Sequence, residues 1–90
     1  MIQGNSFSLM PNQTGTGTTG VAVPGAFTYG VVTGNTFSGL AASSPNPAHP
    51  LAIGVDLTGA TGWNVQANVY DTVTTKVVTG TGNSCGVATL

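Results

Sequence analysis

Trp63-Asn64-Val65-Gln66-Ala67-Asn68-Val69-Tyr70 decides how the chain is read. Trp63, Val65, Ala67 and Val69 alternate with Asn64, Gln66, Asn68 and Tyr70, a clean period of two. Successive side chains of a strand point to opposite faces, so this pattern makes a strand with one apolar and one polar face. Asp71-Thr72 follows as a turn, and Val73, Thr75 and Val77 then alternate with Thr74, Lys76 and Val78. The spacing predicts an antiparallel hairpin over 63–79.

The rest of the chain extends this reading. Phe7 and Leu9 alternate with Ser6 and Ser8, and residues 26–33 form a strand in which Gly30 marks a bulge or a close backbone approach. Pro24-Gly25 is a turn signal, and Gly34-Asn35 leads into Thr36-Phe37-Ser38 as a hairpin turn. Leu51, Ile53, Val55 and Leu57 alternate with smaller or polar residues and would share one face. Val87-Ala88-Thr89-Leu90 reads as an edge strand. Residues 12–20 lack any apolar side chain and read as a loop or arm; residues 41–50 carry three of the five prolines and read as an extended, semi-rigid loop. No window carries apolar residues at helical spacing. Thr-Gly pairs recur, but irregularly, which points to compositional bias rather than a solenoid repeat. The expected fold is all-β: one domain over 1–90, a small antiparallel β-sandwich or barrel. Its core spans 21–90, with an extended N-terminal arm within 1–20 and a Pro-rich loop.

Composition bounds the function. Only Asp56, Asp71 and Lys76 are charged, 3% of the chain, and the net charge is -1. A soluble domain normally carries about a quarter charged residues. One lysine and no arginine exclude an electrostatic nucleic-acid binder and a polybasic membrane surface. No apolar run reaches the roughly 20 residues of a helical span. Disorder is disfavoured, because 40% of residues are hydrophobic and net charge is low. The start, Met1-Ile2-Gln3-Gly4-Asn5, lacks the pattern of a signal peptide, so synthesis in a cytoplasm without export is expected. Ninety residues with 14 glycines bury a thin core, and small domains in that position recruit disulfides, metals or partners. Cys85 is the only cysteine, and His49, Cys85, Asp56 and Asp71 are scattered, which leaves association with neighbours.

Two catalytic patterns fail on context. Gly15-Thr16-Gly17-Thr18-Thr19-Gly20 matches the dinucleotide fingerprint without its preceding strand, following helix or downstream acid. Gly82-Asn83-Ser84-Cys85-Gly86 matches a nucleophile elbow, but no Asp or His follows it. Neither an enzymatic activity nor a cofactor is expected. Trp63 reads as a core or interface anchor. Phe7, Leu9, Trp63, Asn64, Gln66 and Asn68 are the expected interface residues.

In its shortness, near absence of charge and Gly/Thr/Val bias, the chain resembles the small cement proteins that decorate tailed-phage heads. That resemblance implies a structural virion protein on the outside of a capsid. Its partners would be the major capsid protein and other copies of itself, meeting at capsomer joints as a homo-oligomer. A self-polymerising fibre or pilus-like subunit and an ice- or carbohydrate-binding module are the alternatives.

Overall fold

The structure, a computed structural model, describes residues 1–9, 18–25, 27–42 and 47–85. The described residues hold ten strands and no helix. They are β1 (Ile2–Gln3), β2 (Ser6–Ser8), β3 (Thr19–Ala22), β4 (Thr28–Thr33) and β5 (Thr36–Ser38). Then follow β6 (Leu51–Asp56), β7 (Thr61–Gln66), β8 (Val69–Asp71), β9 (Val73–Val78) and β10 (Ser84–Cys85).

The strands form three parallel sheets with orders β1-β4-β7-β10, β2-β5-β8 and β3-β6-β9. Each neighbour lies three strands on in sequence. The chain therefore circulates through the three sheets in turn and returns one layer higher, which is a parallel β-solenoid of three coils with a fourth begun by β10. Parallel strands require such crossovers, because a tight hairpin can only join antiparallel ones.

This corrects the antiparallel sandwich or barrel; the all-β class stands. The 63–79 hairpin does not form: β7 pairs with β4 and β10, and β9 pairs with β6. Alternation along a strand reports which side chains face the core, and says nothing of whether its neighbours run with or against it. Gly34-Asn35 and Asp71-Thr72 are corners between sheets rather than hairpin turns. Among the described residues the one antiparallel contact is the bridge Leu40↔His49, which closes the base of the 41–50 loop.

A repeat is present, contrary to the sequence reading. Register places Ile2 beside Val32, Val32 beside Val65 and Val65 beside Cys85. The stretches Ile-Gln-Gly-Asn-Ser-Phe-Ser (2–8), Val-Thr-Gly-Asn-Thr-Phe-Ser (32–38) and Val-Gln-Ala-Asn-Val-Tyr-Asp (65–71) lie in layers. The period is hidden because one corner varies in length. Residues 9–18 join β2 to β3 and residues 39–50 join β5 to β6, but Thr72 alone joins β8 to β9.

The core is made of ladders along the solenoid. Val32, Val65, Phe37, Leu57, Val55 and Ala60 have no exposed surface. Phe7 stacks on Phe37 at 5.0 Å between ring centroids, and Phe37 on Tyr70 at 5.4 Å, with planes within 10°. Gly20 and Gly54 flank this stack. A Cβ at Gly20 would lie 2.6 Å from the Phe37 ring and one at Gly54 2.9 Å from the Tyr70 ring. The wall of β3 and β6 can therefore close on the aromatics only where it lacks side chains. Leu51, Val55 and Leu57 join the core, whereas Ile53 stands apart from it, in register with the exposed Thr19 and Thr75. The four-residue apolar face expected over 51–57 is thus interrupted.

A corner precedes β2, β5 and β8 in every coil. Gly4, Gly34 and Ala67 hold it with φ of 71°, 67° and 56°. That left-handed geometry suits glycine and strains alanine. The following residue is asparagine each time. The Asn35 Oδ1 accepts from the Asn5 backbone N–H at 2.9 Å, and the Asn68 Oδ1 accepts from the Asn35 N–H at 2.9 Å. The Asn35 amide donates to Ile2 O (3.0 Å) and the Asn68 amide to Val32 O (3.0 Å). Asn35 and Asn68 are buried and meet the corner's backbone groups, which would otherwise lie orphaned inside the protein.

Candidate interaction surface

The exterior is built from the alternate positions of the same strands. Register sets Gln3, Thr33 and Gln66 in one file; Ser6, Thr36 and Val69 in another; and Ser8, Ser38 and Asp71 in a third. Thr19, Ile53 and Thr75 form a fourth. Hydroxyls and amides dominate these files, and none holds three threonines. The flat threonine array that an ice-binding surface would call for is therefore absent among the described residues.

The expected interface residues do not converge on one face. Phe7 and Leu9 are half-buried against the core at the first coil. Trp63 is also half-buried; its ring covers Gly30, where a Cβ would come 2.4 Å from it, and its Nε1 donates to Phe27 O at 3.2 Å. Gly30 is thus the close approach that the sequence signalled. Asn64 is half-buried and Gln66 exposed. Asn68 has no exposed surface, because it serves the internal ladder. Its period-two partnership with Asn64 and Gln66 is broken by the left-handed corner at Ala67, which turns the chain before Asn68 is reached.

Residues 1–9 and 18–20, inside the expected arm, supply the first coil, through β1, β2 and the start of β3. Residues 43–46 of the Pro-rich loop and the edge strand at 87–90 lie outside the described residues, as do Gly15 to Gly17 and Gly86 of the two catalytic patterns. Ser84 belongs to β10, stacked in parallel on β7, rather than to a strand-to-helix turn. Thr19-Gly20 continues as strand into Val21-Ala22, with no helix to meet a phosphate.

The titratable groups are dispersed. Cys85 continues the file of Ile2, Val32 and Val65, and burial pushes its thiol pKa up, which favours the unreactive form. His49 sits in the bridge at the β5–β6 corner. Among the described residues no three metal-ligating side chains come together. Asp56 is held below the usual carboxylate range by the Thr58 hydroxyl (2.6 Å) and then by the Thr58 backbone N–H (2.9 Å). That is a local turn motif. Burial raises the Tyr70 pKa; Asn68 counteracts part of the rise, although no hydrogen bond of good geometry reaches the hydroxyl.

Sequence reasoning passed over two structural residues. Asn83 accepts from the Trp63 N–H at 2.8 Å and donates to Ala60 O and Thr79 O, clamping the corner before β10. Asn35, expected as a turn residue, instead holds the buried centre of the ladder. The recurring Gly-Asn or Ala-Asn pair before each three-residue strand was the available signal for the ladder.

The first coil presents open strand edges among the described residues. β1, β2 and β3 stand at one end of their sheets, with no described strand on their outer edges. An open cleft of about 430 Å³ lies there, lined by residues 6–9 and 18–20 with Leu51. The chain matches no family model, no characterised protein and no solved structure.

Proposed function

We propose that this protein is a structural component of a virion surface, decorating a capsid and stabilising it at the joints between capsomers. The observation that carries the reading is the exterior itself: files rich in serine, threonine and glutamine on a solenoid with three charges in the whole chain. Such a face binds through hydrogen bonds and apolar burial over an extended area. The interior supports the same role. Stacked aromatics and an asparagine ladder tie each coil to the next, which suits a protein loaded mechanically. The major capsid protein and further copies of this chain are its proposed partners.

The test is co-sedimentation of the purified protein with purified tailed-phage capsids stripped of their decoration protein, at low and at high salt. Binding that persists at 1 M salt is expected, because screening at a Debye length of about 3 Å removes only ionic contacts. Protein left in the supernatant at every salt concentration contradicts the reading, and binding lost at high salt contradicts its chemistry. A self-polymerising fibre is the second reading, favoured by the open strand edges of the first coil.

A further inference from the structure

We infer that two copies of this protein join through their first coils, edge to edge about a two-fold axis, and that assembly stops at the dimer. This rests on the reading of the chain as an assembling structural protein and names the surface it uses.

An unpaired strand edge is a template for another strand, and proteins that stay single protect it with lysine, proline or inward charge. The two ends of this solenoid differ in that respect. β1, β2 and β3 carry no charge and no proline. At the far end β8 carries Asp71 and β9 carries Lys76, two of the three charges in the chain. The ladders differ in the same sense. At the far end Tyr70 is only 5% exposed and Asn68 is fully covered. At the first coil Phe7 is half-buried and Asn5 is exposed. Among the described residues the edge of the first coil is bare, whereas the far end carries charge on β8 and β9 and has β10 over β7. A head-to-tail filament needs two usable ends, whereas an isologous pair needs one.

The backbone supplies the contacts. Asn5 O accepts from Thr36 N and Leu9 N donates to Ser38 O, so the odd-numbered residues here turn their peptide groups toward β5. Alternation in a parallel ladder leaves the N–H and C=O of Ser6 and Ser8 facing outward. A two-fold axis through β2 sets that strand antiparallel to its own copy. The same axis places β1 opposite the copy's β3, again antiparallel, so all three edges pair at once.

Sedimentation velocity of the purified protein over a concentration series tests this, without capsids present. A reversible monomer–dimer equilibrium with nothing larger is expected. Ser8→Pro removes an outward N–H and leaves the ladder to β5 intact, so the variant keeps its circular dichroism spectrum and weakens dimerisation about tenfold or more, since both copies lose the donor. Ser6→Lys adds a charge on the exposed flank of β2, outside the Phe7–Phe37 stack, and weakens the dimer. Val69→Lys, on an exposed site of the far coil, leaves it unchanged. A wild type that is monomeric at every concentration, filaments, or a dimer that survives Ser8→Pro while Val69→Lys breaks it would each overturn the inference. Capsid binding by a protein that never dimerises would do the same while leaving the proposed function standing.

Discussion

Replacing Asn68 with alanine removes the third-coil member of the asparagine ladder, and the structure gives the cost. Asn68 Oδ1 accepts from the Asn35 backbone N–H at 2.9 Å and from the Asn35 side-chain amide at 3.1 Å, and its own amide donates to Val32 O at 3.0 Å. Alanine satisfies none of these, and Asn35 and Val32 have little or no access to water. Each orphaned buried group costs about 1 to 3 kcal/mol. With two backbone groups and the vacated side-chain volume, the loss is about 3 to 5 kcal/mol. A 90-residue protein has roughly 5 to 13 kcal/mol of total stability, so N68A removes about a quarter or more of it. Urea denaturation followed by circular dichroism is the assay, with a fall in Tm of about 15 °C or more expected in the thermal scan. N64A, at a half-buried site of the preceding strand β7, should cost less than about 1 kcal/mol. N68D sharpens the test. A protonated carboxyl can still donate to Val32 O, whereas the buried carboxylate cannot, so the folded-state pKa rises above the unfolded value of about 3.9. Its contribution is then present below about pH 3.9 and lost as pH climbs through the raised value, making N68D more stable at pH 3.5 than at pH 7. If N68A costs no more than N64A, the ladder does not hold the coils together and the reasoning fails.

Other perturbations follow from the same geometry. Ala67→Gly relieves the left-handed strain at the third corner, where the other coils already use Gly4 and Gly34, and should raise stability by about 0.5 to 1 kcal/mol in the same denaturation assay. Gly39→Ala should be severe and Gly54→Ala damaging: the new Cβ would lie 2.3 Å from Thr72 O in the first and 2.6 Å from Lys76 O in the second, both backbone atoms. Gly4→Ala meets nothing within 4 Å and should cost only its conformational strain, about 1 kcal/mol. Tyr70 and Cys85 both have raised pKa values, so their contribution is complete below their ordinary values of 10.0 and 9.0 and lost as pH rises through the raised ones. Tyr70→Phe removes a buried hydroxyl without a partner and should leave neutral-pH stability equal or higher while shrinking the alkaline loss seen in a pH series of thermal scans.

The strands themselves were legible in the sequence, because period-two alternation marks a two-faced strand wherever it occurs. Val65 facing the core and Gln66 facing water came from that rule. Strand direction was not legible, since the same alternation serves parallel and antiparallel neighbours. The solenoid repeat was obscured by loops of unequal length at one corner: residues 9–18, residues 39–50, then Thr72 alone. Aligning Gly4-Asn5, Gly34-Asn35 and Ala67-Asn68 by their shared geometry, rather than by a constant period, recovers it. Asn68 was misplaced among outward residues because a single left-handed residue resets the alternation. The scarcity of charge did carry forward. Its distribution, with Asp71 and Lys76 confined to the far coil, gained meaning only once the coils were ordered in space.

The account rests on parallel, in-register coils, and nuclear Overhauser contacts in the isotope-labelled protein test that most directly. The rings of Phe7, Phe37 and Tyr70 should give a chain of contacts, with Val32 adjoining Val65, at residue separations of about one coil. Cross-strand Hα–Hα contacts linking residues 63–69 to 73–79, the signature of an antiparallel hairpin, would contradict the solenoid and everything built upon it.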